Sequence, residues 1–188
     1  LVIVQKDSSY KSITPSFVRA ANLTPTGKLI NAESNAICSF PSPEAILNAT
    51  SVPLIFPLSF YDSPSGYGGS LFNDFYEWLV FVLKLSLKTD YDWYIKLHPD
   101  VLLKWDYLNY TTVKNLLKKY KNVKWIEPHV THNQIIKEGI NAALTIHGTV
   151  GSEYPYFNIP VVNASKNNPH MAYKFNYHPQ NIKELEKI

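Results

Sequence analysis

The chain has 188 residues, a length that suits one domain of ordinary size with its own buried core. Hydrophobic residues make up 45% of it and aromatic residues 14%, which argues against an intrinsically disordered chain and for a packed globule. Lysine carries almost all of the net charge of +3, because Arg19 is the only arginine, and this argues against nucleic acid as a partner.

The cysteine and methionine content and the length of the apolar runs indicate the cellular compartment and whether the chain is a fragment. The single cysteine, Cys38, excludes an internal disulfide and fits a reducing compartment. No apolar run approaches the roughly 20 residues of a membrane helix, and no signal-peptide pattern is present, so we expect a cytoplasmic protein. Because Met171 is the only methionine, Leu1 is not a native start, and we expect a fragment whose preceding domain is missing.

Two regions of the chain differ in their patterns. Residues 1–50 mix Ser, Thr, Asn and Pro with short apolar stretches. They predict an irregular segment with one strand and one short helix near Ser42–Asn48, a linker from or a remnant of the missing domain. Residues 51–188 have regular apolar periods and predict one globular domain.

Strands and helices alternate in the predicted structure of this second region. Strands are predicted in VPLIFPLSF (52–60), DWYIKLHP (92–99), NVKWIEP (122–128), AALTIHG (142–148) and IPVVNAS (159–165). Helices are predicted in LFNDFYEWLVFVLKLSLKT (71–89), TTVKNLLKKY (111–120, with a Thr cap), THNQIIKEGI (131–140, ended by Gly139), TVGSEYPYF (149–157) and NIKELEKI (181–188). This alternation predicts a parallel sheet with helices on both faces.

Polar residues collect directly after the predicted strands. The carboxyl ends of parallel strands converge at one edge of the sheet, so we expect these residues to lie together at a ligand site. In strand order they are Asp62, Gly66, Gly68, Gly69 and Ser70; Lys96 and His98; His129 and His132; His147, Gly148, Thr149, Val150 and Glu153; and Asn168 and His170.

The glycine-rich loop SGYGGS (65–70) has two interpretations. It is either a flexible turn or a run of backbone amides that holds a phosphate ahead of the long helix, and it lacks the spacing of a P-loop. Asp62, just before it, either caps the turn or serves as a general base.

The stretch IKLHP (95–99) also has two interpretations. Lys96 and His98 alternate with apolar residues and therefore share one face of the strand. They are either an edge residue and a capped loop, or part of a site in which His98 donates a hydrogen bond to a nucleotide phosphate.

The strongest motif is HGTVGSE (147–153). Gly148 and Gly151 keep the turn free of Cβ atoms, and the Thr149 hydroxyl is positioned to cap the helix. The first-turn amides then hold a phosphate without arginine. Glu153 either accepts the hydroxyls of a ribose or is the N3 glutamate of a capping box, and the sequence leaves both open.

Two further kinds of site are disfavoured by spacing. His129 and His132 lie close together, but no third metal ligand is placed by spacing, so we interpret His132 as a helix cap or a ligand contact. No G-x-S-x-G elbow exists, and Ser152 lies inside the helix start, which argues against a nucleophilic serine. We therefore expect neither a metal nor a cofactor.

Four segments in order, FYDSPSGYGGSLFNDFYEWL (60–79), DYDWYIKLHPD (90–100), THNQIIKEGINAALTIHGTVGSEYPYFNIPVVNAS (131–165) and NNPH (167–170), resemble a known family. They are similar to the C-terminal, donor-binding half of bacterial surface-polysaccharide glycosyltransferases of the GT-B fold, as in capsular polysaccharide biosynthesis proteins of the HP-motif type. The resemblance covers about residues 51–180. It implies an α/β, Rossmann-like three-layer sandwich with a five- or six-stranded, mainly parallel sheet.

The resemblance also implies roles for single residues. His98 and Pro99 match the HP motif, Gly148 to Val150 match the phosphate-binding Ser/Thr motif, and Glu153 matches the residue used on the nucleotide ribose. The implied reaction is transfer of a sugar from a nucleotide donor to a surface glycan by direct displacement, with His98 and the helix start at Thr149 stabilising the departing phosphate.

The implied partners are a nucleotide-sugar donor and a glycan or lipid-linked acceptor, with peripheral membrane association through the missing domain. As a fragment, the chain is expected not to turn over alone. Two alternatives remain open at this stage. One is a nucleotide-sugar epimerase of the same fold, and the other is a non-catalytic, flavodoxin-like module that binds a partner protein.

Overall fold

The computed structural model describes residues 29–30, 37–38, 51–60, 68–102, 107–168 and 171–187. Within the first 50 residues it describes two short strands, β1 (Leu29–Ile30) and β2 (Ile37–Cys38), which pair antiparallel. The helix predicted near Ser42–Asn48 lies outside the described residues, as do Asp62, Gly66 and His170.

The rest of the described chain alternates strands and helices as predicted. The elements are β3 (Pro53–Ile55), α1 (Phe75–Ser86), β4 (Trp93–Lys96), a 3-10 turn (Pro99–Leu102), α2 (Tyr107–Leu117), β5 (Val123–Ile126), α3 (His132–Lys137), β6 (Ala142–Thr145), α4 (Val150–Tyr156), β7 (Val161–Asn163) and α5 (Ile182–Leu185). Each strand from β3 to β7 is shorter than its predicted range.

Helix α2 begins before its predicted start. It begins at Tyr107, four residues before Thr111, so the predicted Thr cap is wrong. The Thr111 hydroxyl instead donates to the carbonyl oxygen of Leu108 at 3.0 Å, a bond that Thr makes inside a helix. Helix α3, in contrast, begins with a capping box between Thr131 and Gln134, and Gly139 follows its end with a φ of 95°.

The other five strands, β3 to β7, form one parallel sheet in the order β5-β4-β3-β6-β7. The chain moves outward from β3 to β5, returns to the other side of β3 at β6, and ends at β7. This order confirms the predicted α/β, Rossmann-like fold with a mainly parallel sheet. The order reverses between β3 and β6, and such a switch point is where open parallel sheets form a crevice.

Two apolar layers enclose the sheet, because alternate strand residues point to opposite faces. Ile55, Ile95 and Leu144 pack on one face with α1, Val113 of α2 and Leu185 of α5. Leu54 and Ala143 pack on the other face with residues of α3 and α4. No helix in the described residues combines the length and apolar character needed to cross a bilayer.

Candidate functional site

The last row of side chains on the α3 and α4 face of the sheet is unusually polar. In the register of the strands this row comprises Ile126, Lys96, Phe56, Thr145 and Asn163. Lys96 is 2% exposed, and Thr145 and Asn163 are fully buried. Buried polar side chains cost free energy unless they are paired, so a polar row at the carboxyl edge marks this edge as a candidate site.

Three rings pack together over this row. Phe56 stacks on His132 with centroids 5.4 Å apart and an interplanar angle of 3°. Tyr154 meets both rings edge-on, at 5.2 Å from Phe56 and 5.5 Å from His132. Because Thr131 is the cap of α3, the prediction that His132 caps this helix is wrong, and its ring packs into the cluster instead.

Glu153 lies beside the ring cluster. Its Oε2 is 3.8 Å from Nδ1 of His132. Burial is the largest of the causes that lower the pKa of His132 to about 4, and the positive charges of Lys96 and His98 are the others. His132 is therefore neutral at pH 7, and the contact is not an ion pair there. Burial also lowers the pKa of Lys96, while the Glu153 carboxylate acts in the opposite direction.

These groups predict a pH dependence of stability. The pKa of His132 lies near 4 in the folded protein, below the ordinary 6.5, so the unfolded chain binds more protons between these values. The free energy of unfolding should therefore fall as the pH drops through this window. The side chain of His132 is 38% exposed, so we expect solvent to limit the loss between pH 7 and 5 to about 1 kcal/mol.

Urea denaturation at both pH values should show that His132→Gln removes this part of the loss. His129→Gln is the matched control, because His129 is exposed and lies three residues away. An equal loss of stability in the wild type and in both variants would contradict the assignment.

His98 lies two residues beyond Lys96, and its side chain is 64% exposed. Its Nδ1 accepts a hydrogen bond from the backbone amide of Asp100 at 3.2 Å. In the neutral ring this bond places the proton on Nε2. His98 thus presents an N–H donor just after β4, at the carboxyl edge of the sheet.

The turn from β6 to α4 is built around Thr145. Its hydroxyl donates to the carbonyl oxygen of Phe56 at 3.2 Å and accepts from the amide of Gly148 at 3.3 Å. A Cβ on Gly148 would lie 2.7 Å from this hydroxyl oxygen, so the glycine is required by a close approach and not by its φ. The sequence predicts that the turn needs a residue without a Cβ at this position. Packing against the Thr145 hydroxyl is the reason.

Two predictions for the start of α4 are wrong. Thr149 has helical dihedrals (φ −58°, ψ −22°) and makes no side-chain capping bond, because a cap needs extended backbone to turn its hydroxyl onto the helix. Ser152 occupies the N3 position, so Glu153 is not the N3 glutamate of a capping box. Within the described residues, the amides of Thr149 and Val150 donate to no acceptor.

The described part of the glycine-rich loop, Gly68 to Ser70, contacts the segment that follows β7. Gly69, with a φ of 63°, accepts a bond from the amide of Lys166 at 2.7 Å, and Ser70 forms an isolated bridge with Ser165. Asn168 is buried in the same segment, with its amide near Ser165 and His178. Ser70 and Lys166 line a groove of about 430 Å³, together with Leu71 and the residues from Asn181 to Lys183.

The predicted site residues therefore fall into separate places. Lys96, His98, His132 and Glu153 come together, and the turn at Gly148 to Val150 leads into the same helix as Glu153. Gly68, Gly69, Ser70 and Asn168 form the group beyond β7. His147 packs against Phe75 of α1, with ring centroids 6.3 Å apart, and is not part of the ring cluster.

Sequence reasoning missed Phe56 and Tyr154, whose apolar rings look like ordinary core residues in a sequence. Among the described residues, no three His, Cys, Asp or Glu side chains form a group that would hold a metal ion. No family model, curated protein or solved structure matches this chain.

Proposed function

We propose that residues 51–188 form the donor-binding domain of a glycosyltransferase that transfers a sugar from a nucleotide-activated donor to a bacterial surface polysaccharide. The observation that carries this proposal is the convergence of Lys96, His98, His132 and Glu153 from β4, α3 and α4. They meet at the carboxyl edge of a parallel sheet, close to its switch point, where such folds bind nucleotides.

The donor groups at this edge fit a diphosphate. The exposed Nε2–H of His98 lies after β4, and the amides of Thr149 and Val150 lie after β6. Strand β3 lies between β4 and β6, so these two strands are about 10 Å apart, at two strand spacings. A diphosphate bridging them would accept from both sides. The Glu153 carboxylate would then accept from the hydroxyls of the ribose.

The proposed reaction is a direct displacement at the anomeric carbon. An acceptor hydroxyl oxygen forms the new bond to this carbon while the bond from the carbon to the phosphate oxygen breaks. The electron pair leaves with the phosphate, where His98 and the two amides stabilise the added negative charge. The proton of the acceptor hydroxyl passes to a base, a role for which the sequence offers Asp62.

Calorimetry and thermal melting with UDP, GDP, CDP and CMP test the proposal. One nucleotide should bind and raise Tm, because a ligand of the folded state stabilises it by mass action. No binding and no rise in Tm with any of the four would overturn the donor-binding role and favour a protein-binding module. Epimerised sugar nucleotide formed without an acceptor would favour an epimerase instead.

A further inference from the structure

Two buried polar side chains at this site have unmet hydrogen-bonding capacity. Lys96 is 2% exposed, and its Nζ, which carries three donors when charged, donates to the carbonyl oxygen of Leu97 at 3.3 Å. Tyr154 is fully buried, and its hydroxyl has no hydrogen-bond partner in the described part of the chain. Buried donors without partners are rare in folded proteins and call for an explanation.

Both groups belong to the same small layer of side chains. Lys96 is the lateral neighbour of Phe56 in the last row of the sheet, and the Tyr154 ring packs on Phe56 at 5.2 Å. Glu153, next to Tyr154 in α4, influences both. Its negative charge opposes the lowering of the pKa of Lys96 and adds to the raising of the pKa of Tyr154 by burial.

The hydrogen-bonding pattern defines the ligand chemistry. The ammonium of Lys96 and the hydroxyl of Tyr154 have hydrogens to give, so they need acceptor oxygens from the ligand. The carboxylate of Glu153, with its side chain 35% exposed, accepts hydrogens and suits hydroxyl groups. A sugar phosphate carries acceptor oxygens and hydroxyl groups side by side.

We propose that Lys96 and Tyr154 are ligand-binding residues that contact the oxygens of the sugar phosphate of the donor, while Glu153 accepts from the neighbouring ribose hydroxyls. This inference rests on the proposed function and names the part of the donor that the site holds. His132 and Glu153 contact this layer and have side chains that are 38% and 35% exposed, so the ligand would enter from their side. The ligand then supplies the acceptor that the Tyr154 hydroxyl lacks and acceptors for the remaining hydrogens of the Lys96 ammonium.

Tyr154→Phe and Lys96→Met separate this role from a structural one. Each removes the polar atoms and keeps most of the side-chain volume. A buried hydroxyl without a hydrogen-bond partner does not stabilise the ligand-free protein, so Tyr154→Phe should leave Tm unchanged or raise it. Tyr156→Phe is the matched control, because Tyr156 lies on the same helix and is half-buried.

The probes are the nucleotide that binds best among UDP, GDP, CDP and CMP, its glucose conjugate, and glucose 1-phosphate. We expect each site variant to bind the glucose conjugate at least about tenfold more weakly than the wild type and the control do. A drop in Tm of several degrees in Tyr154→Phe would overturn the inference in favour of a structural hydroxyl.

The remaining outcomes separate this inference from the proposed function. Unchanged affinity of both site variants for the glucose conjugate would overturn the inference and leave donor binding standing. Binding of glucose 1-phosphate without any nucleotide, lost in both variants, would support the inference and overturn the nucleotide donor. A wild-type protein that binds none of the probes would overturn both.

Discussion

Replacing His98 with alanine should weaken binding of the preferred nucleotide by about ten- to a hundredfold, which is the value of a hydrogen bond to a charged group. The ring is 64% exposed, and its Nδ1 is already used by the amide of Asp100, so Nε2–H is left for the ligand. Calorimetry measures the loss. Since an exposed ring contributes little packing, Tm should remain within about 2 °C of the wild type.

His129→Ala is the control for this variant. His129 also follows a strand of the sheet and is exposed, but it is not among the groups that act on His132. It should bind nucleotide as the wild type does. Comparable binding by the wild type and His98→Ala would remove His98 from the site, and a weakened His129→Ala would point to a general effect of charge at this edge.

Replacing Phe56 with alanine should lower the free energy of unfolding by about 3–5 kcal/mol, the usual cost of truncating a buried phenylalanine. Phe56 is 7% exposed and contacts the rings of both His132 and Tyr154, so its loss leaves a cavity in the cluster. Water entering the cavity should also raise the pKa of His132 from about 4 toward 6.5. Urea denaturation and an NMR titration of the histidines measure the two effects.

Phe157→Ala provides the comparison for Phe56→Ala. Phe157 is 43% exposed at the end of α4, and its truncation should cost well under half as much. If Phe56→Ala destabilised the protein severely but left the pKa of His132 unchanged, the stacked ring would not be what keeps His132 out of water.

Local patterns in the sequence predicted the elements and part of the site. The alternation in WYIKLH placed Lys96 and His98 on one face, because side chains alternate along a strand whatever its neighbours are. The capping pattern from Thr131 to Gln134 likewise needs only four consecutive residues. Each of these signals is contained within a few consecutive residues. The capping box is present in the structure, and Lys96 and His98 both act on His132.

The assembly of the site depends on information that lies between elements. Phe56 becomes part of it only because β3 pairs with β4 and β6 in one register, and Tyr154 only because α4 packs on the same face. The hydrophobic periodicity of a segment does not encode the order of the strands, so in the sequence both residues resemble ordinary core residues. Thr149 failed as a cap for a related reason, since the tight turn around Thr145 imposes helical dihedrals on it.

The order of the strands also has a consequence for synthesis. Phe56 and Thr145 are bonded neighbours, yet they are separated by 89 residues, which take on the order of ten seconds to translate. During that time the nascent chain carries an apolar strand with one edge bare, a template for intermolecular pairing. Val52 and Phe56 bond toward β6, so Pro53 and Pro57, which alternate with them, face β4. The edge that waits for β6 therefore keeps its backbone donors, and β6 must arrive to cover them.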